Sequence, residues 1–393
     1  MDKGGERRQD RSRVINIDIY LFLALAQIWR LSRAVVLLIC VAFSSTRVLA
    51  ADAAEGTANP LTTYGTLDVM VYRSQDDSGV QRSWNLNGIR ETVLGIRTSD
   101  APEDSTDWRG IGHLEVAFGA ERGERARVYS AVARQAFVGL AGSGGQLTVG
   151  RQYNVLTNIA WSTLNPINNG WGIYFNDLLY LGDSFTHQNN TARDLAGAGA
   201  NWFLSYTQDG LQYQRKGAGY SVQAEFIPGA SSSSFLKRGA TTTVGGTKDI
   251  GPWTFAGAAS RQITGDGAAE RQIQVLGGVY GRDSVKLYLS RMQSKVSSGA
   301  RYMVDYGGVG WQANQKFHVS MAVARYQQNN ASSFGLGTAR GVSGVAEYAL
   351  TSHLNVYVEA DLRRHVDGSD GAQAAFTTPS LARNFMVGLS SSF

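Results

Sequence analysis

From residue 61 to the last residue, apolar and polar positions alternate along the chain with a period of two. In "LNVYVEADLRR", Leu354, Val356, Val358, Ala360 and Leu362 take one side, and Asn355, Tyr357, Glu359, Asp361 and Arg363 take the other. "SVKLYLS" sets Val285, Leu287 and Leu289 against Lys286, Tyr288 and Ser290, and "YSVQAEF" sets Val222, Ala224 and Phe226 against Ser221, Gln223 and Glu225. Strand side chains alternate between two faces, whereas a helix with about 3.6 residues per turn would mix these two sets. The pattern continues into the terminal "NFMVGLSSSF", where Phe385, Val387, Leu389 and Phe393 share one parity.

Sixteen segments carry this signature: 61–73, 81–98, 107–119, 127–140, 146–153, 200–214, 219–227, 240–249, 252–264, 270–281, 284–296, 299–312, 316–328, 338–350, 353–365 and 381–393. The connectors mostly alternate in length. Residues 74–80, 120–126, 154–199 and 228–239 are long, while 141–145, 250–251, 282–283 and 351–352 are short; 100–106 is an exception. Long loops on one rim and short turns on the other predict an all-β fold, a transmembrane antiparallel β-barrel of about 16 strands, with both termini at the short-turn rim. Lipid offers the strand backbone no water to bond, so the sheet must close on itself and turn its apolar side chains outward. Phe393 is then expected in the aromatic belt at the periplasmic interface. A soluble sandwich or solenoid would not need so many strands of this length.

Composition supports sheet with many tight turns: the chain has 393 residues, with Gly 46 against Pro 6. No run long enough for a membrane-spanning helix, about 20 apolar residues, follows residue 50. Before that, "RLSRAVVLLICVAFSSTRVLA" places Arg30 and Arg33 ahead of an apolar run and Val48-Leu49-Ala50 after it. This predicts an N-terminal leader over 1–50 containing a signal peptide cleaved after Ala50, with the barrel over 51–393. The leader holds eight of the 37 basic and four of the 32 acidic residues, leaving 29 against 28, a formal net charge of +1. The basic balance of the whole chain therefore gives no support for nucleic-acid binding. Cys40 also lies in the leader, so residues 51–393 have neither disulfide nor thiolate metal site.

Several stretches resemble the trimeric general-diffusion porins of Gram-negative outer membranes, in particular their β-proteobacterial branch. "TYGTLDV" (63–69) resembles that family's first strand and "LGIR" (94–97) its second. "RQAFVGLAGSGGQLTVGRQYN" (134–154) is similar to its fourth hairpin and the approach to its third loop, and "GLQYQRKGAGYSVQAEF" (210–226) to the hairpin beyond that loop. The resemblance implies an outer-membrane homotrimer whose water-filled channels pass small hydrophilic solutes and inorganic ions passively. It implies no cofactor, and Phe393 as the membrane assembly signal. It also implies a third loop folded into the barrel, here 154–199, bringing Asp177 and Asp183 opposite a wall of Arg97, Glu115 and Arg151. Residues 154–191 contain no Lys or Arg. Two positions depart from the family pattern, Val93 on the second strand and Gln208 on the sixth, where arginines are usual. The basic cluster is thus thinner, with Arg109 or Arg134 as neighbouring substitutes, and the expected preference is mildly for anions. Glu121 or Glu124 in "GAERGER" would latch a neighbouring subunit.

Two other function classes have less support in the residues. For an enzyme, the five histidines, His113, His187, His318, His353 and His365, lie in no spacing that pairs nucleophile with base or holds zinc, and "GGVGW" and "AGAGAN" lack the lysine and strand-to-helix context of a phosphate loop. The alternation places His113 and His318 in the lumen. A substrate-specific channel would have a binding track along the lumen, for which Tyr64, Tyr72, Tyr280 and Tyr288 have the required parity.

Overall fold

The computed structural model describes residues 61–76, 79–86, 88–98, 108–118, 131–167, 206–228, 240–263, 270–297, 301–329, 337–365 and 381–393. They form one sheet of seventeen strands: β1 (Leu61–Asp76), β2 (Gly79–Leu86), β3 (Thr92–Thr98), β4 (Arg109–Phe118), β5 (Ala131–Gly142), β6 (Gly145–Tyr153), β7 (Tyr206–Gly217), β8 (Tyr220–Ile227), β9 (Thr241–Ile250), β10 (Trp253–Ile263), β11 (Glu270–Arg282), β12 (Val285–Val296), β13 (Arg301–Gln312), β14 (Phe317–Asn329), β15 (Gly337–Ala349), β16 (Leu354–His365) and β17 (Leu381–Ser392). All pairings are antiparallel, and β17 returns to β1 from Thr66↔Ser392 to Gln75↔Arg383. Gly65 and Phe393 exchange backbone hydrogen bonds of 3.0 and 3.1 Å, and the Phe393 ring occupies the space a Cβ on residue 65 would need. The terminal phenylalanine thus completes the seam of the cylinder.

The count of seventeen reconciles with sixteen barrel strands because β2 and β3 are two lengths of one. Both pair with β1, β2 along residues 69–76 and β3 along 61–66. Between them the chain leaves the ladder and wraps the carboxylate of Asp68, which is fully buried. The Gly88 and Arg90 backbone N–H groups each donate to it at 2.9 Å, and the Tyr357 hydroxyl donates at 2.6 Å. The alternation predicts one uninterrupted strand over 81–98. The glycine within that pattern, Gly88, was the available sign of a break; a side chain there would collide with Tyr357.

Across the sheet the apolar parity faces outward. Leu276 and Leu289 keep 71% and 72% of their surface exposed, and Val138, Val149, Val323 and Phe385 are also exposed. So much uncovered apolar surface suits contact with lipid hydrocarbon rather than water. At the short-turn rim, Trp253 stacks with Phe255 at 5.9 Å between centroids and meets Tyr280 at 5.0 Å, with Trp311, Tyr348 and Phe393 exposed on the same rim. Tyr280 therefore belongs to the outer aromatic belt and not to the lumen, a correction to its expected side. The tight hairpins at this rim use left-handed backbone at Gly251 (φ 58°) and Asp283 (φ 52°), as two-residue turns between twisted strands require.

The lumen and its candidate constriction

The first part of the long connector after β6 turns into the barrel. It begins as a short helix, α1 (Val155–Ser162), capped by Asn154, whose side chain accepts from the Thr157 N–H at 2.7 Å. A wall carboxylate anchors this end. Glu225 on β8 is buried and accepts from the Val155 N–H (3.1 Å), the Gln212 side-chain amide (3.1 Å) and the Thr243 hydroxyl (3.4 Å). A negative charge at a helix N-terminus is favourably placed against the helix dipole.

From α1 the connector runs along the inner wall. Val155, Ile159, Leu164 and Ile167 are buried in one cluster with Ala256, Ile273, Val275, Tyr288, Val304 and Tyr306, which belong to β10–β13. Each large apolar side chain buried in this way contributes about 1.5–3 kcal/mol. Glycines make room for the path. A Cβ on Gly245 would lie 3.0 Å from Val155, one on Gly277 2.8 Å from Leu164, and one on Gly308 2.5 Å from Pro166. The Tyr306 hydroxyl then donates to Asn165 Oδ1 at 3.1 Å. The period-two alternation that marks the strands gives no sign of this helix.

The opposite wall is charged. Tyr64 on β1 donates its hydroxyl proton to Glu115 Oε2 at 2.5 Å and lies 2.5 Å from His113 Nε2. With that one proton committed, the hydroxyl accepts from His113, which places a proton on Nε2. Glu115 Oε1 also accepts from Gln135 Nε2 and pairs with Arg134 Nε, both at 3.3 Å. Arg134 forms a second ion pair with Glu91, and its guanidinium lies over the Tyr153 ring at 4.8 Å. Strand parity alone would turn Arg134 to the lipid, with Val138 and Leu140. The β4–β5 ladder shifts register here, from Glu115↔Gln135 to Val116↔Ala133, leaving Arg134 as the extra residue. Such bulges re-aim side chains.

Of the expected site residues, Arg97 lies on the lumen side of β3, exposed, with its guanidinium 5.4 Å from the Tyr64 ring centroid. Glu115 is buried in the network just described. Arg151 is half-buried on β6, opposite Ala136 and directly after Gly150, whose φ of 129° requires glycine. Asp177, Asp183, Gln208's side chain, Glu121 and Glu124 lie outside the described residues. Sequence reasoning missed Arg90 and Glu91, which the break between β2 and β3 delivers to the lumen. Arg90 pairs with Glu347 at 2.6 Å, and Glu347 in turn lies 4.0 Å from His318 Nδ1. Neither alternation nor motif marks them; only the glycine in "NGIRE" does.

A closed barrel of sixteen strands with an aromatic belt, a loop folded along its inner wall and ionised groups opposite defines a diffusion channel of the outer membrane. Residues 34–392 match the family model described as Gram-negative porin, and the chain belongs to that family. Solved structures agree in fold. The anion-selective porin from Comamonas acidovorans superposes with a TM-score of 0.65 at 17% identity, covering 85% of this chain and 99% of that one. OmpF of Salmonella typhi in complex with daunomycin gives 0.62 at 14% identity, covering 85% and 98%. The trimer form of OmpT from Vibrio cholerae gives 0.58 at 14% identity, covering 85% and 99%. A comparison with curated proteins returns no match. Family and fold are those of a channel rather than an enzyme. The protein is an outer-membrane porin through which small hydrophilic solutes diffuse passively.

Proposed function

We propose that this porin passes anions in mild preference to cations, and that Arg97, Glu115 and Arg151 form the wall of its constriction. The carrying observation is an asymmetry of exposure. Arg97 presents its guanidinium to the lumen, while the carboxylates of the same network, Glu115 and Glu91, are held in hydrogen bonds and ion pairs with Tyr64, Gln135 and Arg134. A mobile ion in a narrow aqueous passage responds to the uncompensated charge, because low-dielectric walls focus its field. Asp177 and Asp183 on the connector would face this wall. The likeness to a porin described as anion-selective agrees with the reading. The test is the zero-current potential of single channels in a potassium chloride gradient. A potential on the chloride side is expected; a cation-selective potential overturns the proposal.

The family resemblance supports a homotrimer, with Glu121 or Glu124 as the contact between subunits, and chemical cross-linking in detergent checks it. Phe393 acts as the assembly signal, consistent with its place in the seam, so Phe393→Ala should delay barrel assembly. Residues 1–50 are removed on export, so the protein extracted from outer membranes should begin at Ala51. Of the tyrosines proposed as a binding track, Tyr64 is committed to Glu115 and Tyr280 faces outward, so general diffusion is the favoured reading.

A further inference from the structure

Residues 88–91, between β2 and β3, stand off the sheet on its lumen side. β2 pairs with β1 as far as Leu86↔Val69 and β3 resumes at Val93↔Thr66, so the ladder lapses beside Asp68. Side-chain bonds take its place. The Asp68 N–H donates to Thr92 Oγ1 at 3.0 Å, and the Thr92 hydroxyl donates back to the Asp68 carbonyl at 3.2 Å. The Asp68 carboxylate, held by the Gly88 and Arg90 N–H groups, also receives the Tyr357 hydroxyl. Tyr357 belongs to β16 and reaches Asp68 beneath β17, where Gly388 leaves its ring the space that a side chain would fill. Ile89 is fully buried in the same cluster as Met70 and Met386. The segment is thus clamped from β1, β16 and β17 together.

From this seat two consecutive side chains leave in opposite directions around the barrel. Arg90 reaches Glu347 on β15 at 2.6 Å, and Glu91 pairs with Arg134 on β5. These partners lie on either side of the segment in the sheet, beyond β16 and β17 one way and beyond β4 the other. All four side chains are largely shielded from water, with Arg90 the most exposed at 23%. A shielded charge deprived of its partner is left uncompensated, and in a passage with low-dielectric walls its field reaches a passing ion. The two pairs therefore mask opposite signs. Glu91 masks the cation Arg134, which also meets Glu115 at 3.3 Å, and Arg90 masks the anion Glu347.

We infer that Asp68 is the positioning residue for this segment, and that Glu91 and Arg90 are specificity-determining residues of opposite sign. Glu91 restrains the attraction of the lumen for anions, and Arg90 restrains its attraction for cations. The inference rests on the proposed constriction wall and deepens it: the preference is mild because charges cancel in fixed pairs, and Asp68 fixes the pairs.

Zero-current potentials of single channels in a potassium chloride gradient test it, recorded with the full chain at about pH 8, where His318 beside Glu347 is uncharged. Glu91→Gln should raise the chloride-to-potassium permeability ratio about two-fold or more, and Arg90→Gln should lower it by a similar factor, the scale of one uncompensated charge in a focused field. Absent shifts, or shifts of one sign, overturn the inference. Asp68→Asn exchanges one acceptor oxygen for a donor and so releases the segment, unmasking both wall charges whatever residues 90 and 91 are. In that background the difference between E91Q and R90Q should fall to less than about half, because it then reflects only solvated side chains, screened over about 3 Å at 1 M salt. An Asp68 that merely stabilised the barrel would leave the difference unchanged in channels that keep their heat resistance on a gel, and that result overturns its positioning role. If D68N does not assemble, Tyr357→Phe, which keeps both N–H bonds, should narrow the difference by a smaller amount, and no narrowing there overturns the role equally. The sign of the wild-type potential decides the anion preference separately, because this inference reads only differences between variants.

Discussion

The two halves of the lumen wall are built on opposite principles. The wall of β9–β13 is apolar where α1 and the residues after it cover it, with glycines cleared for their passage. The wall of β1 and β3–β5 is polar, and its Tyr64–Glu115–Arg134–Glu91 network is satisfied internally while Arg97 stays exposed. The apolar half fixes where residues 155–167 of the connector lie. The wet half fixes what an ion meets there. On the proposed reading, size and charge discrimination fall to different strands, and each should be alterable without the other.

The largest effect is expected from breaking the apolar half. The double substitution L164D/I167D places two carboxylates in the buried apolar cluster, and a charge desolvated in an apolar site costs more than the docking returns. The connector should leave the wall, and single-channel conductance in planar bilayers should rise about two-fold or more, since pore width and wall electrostatics set conduction. The heat resistance of the folded barrel on a gel should be kept, because the strand ladders are untouched. A conductance equal to wild type would show that the connector is not held by this face.

Next comes the anchor. Glu225→Ala leaves the Val155 N–H without its acceptor, while the Gln212 amide keeps the Tyr153 carbonyl, a loss of about 1–3 kcal/mol for a buried group so orphaned. Frequent brief conductance steps in single-channel records should follow, with ion preference unchanged. The wet half should answer in the reverse manner. Arg97→Glu should move the zero-current potential toward the cation side with little change in conductance at high salt. The shift should shrink from 0.1 M to 1 M salt, because the screening length falls from about 10 Å to about 3 Å.

The smallest effect is expected from Tyr64→Phe. It removes one donor to Glu115, whose other partners, Gln135 and Arg134, remain. A decrease of about 0.5–1.5 kcal/mol in barrel stability against denaturant is expected, with a slight loss of anion preference as Glu115 gains freedom to face the lumen. If this variant instead shifted ion preference more than Arg97→Glu does, the assignment of roles within the wet half would be wrong.

The fold was legible because its signal is repeated in every strand. Phe385, Val387 and Leu389 read outward in sequence and stand outward in the structure, and the sixteen segments coincide with the observed barrel strands to within a few residues. The site was legible only in part. Arg97 and Glu115 follow the alternation, and both side chains lie on the lumen side. Arg134, Arg90 and Glu91 reach the lumen through irregularities, a one-residue register shift and a broken strand, and a rule of period two is blind to both. Tyr280 failed for the converse reason. It reads as a polar lining residue, yet its phenol suits the membrane interface, where an amphipathic ring has both lipid and water.

The amino-acid sequence alone settled that the chain forms a closed cylinder with an apolar exterior, since each residue's choice between lipid and water is local and the side-chain period is two. It could not settle the interior. There, contacts join groups as distant in the chain as Asn165 and Tyr306, 141 residues apart, and strand register decides which meet. Which wall is apolar, which is charged and where the passage narrows are therefore properties of the folded barrel, because only closure brings those strands and the inserted connector within contact distance.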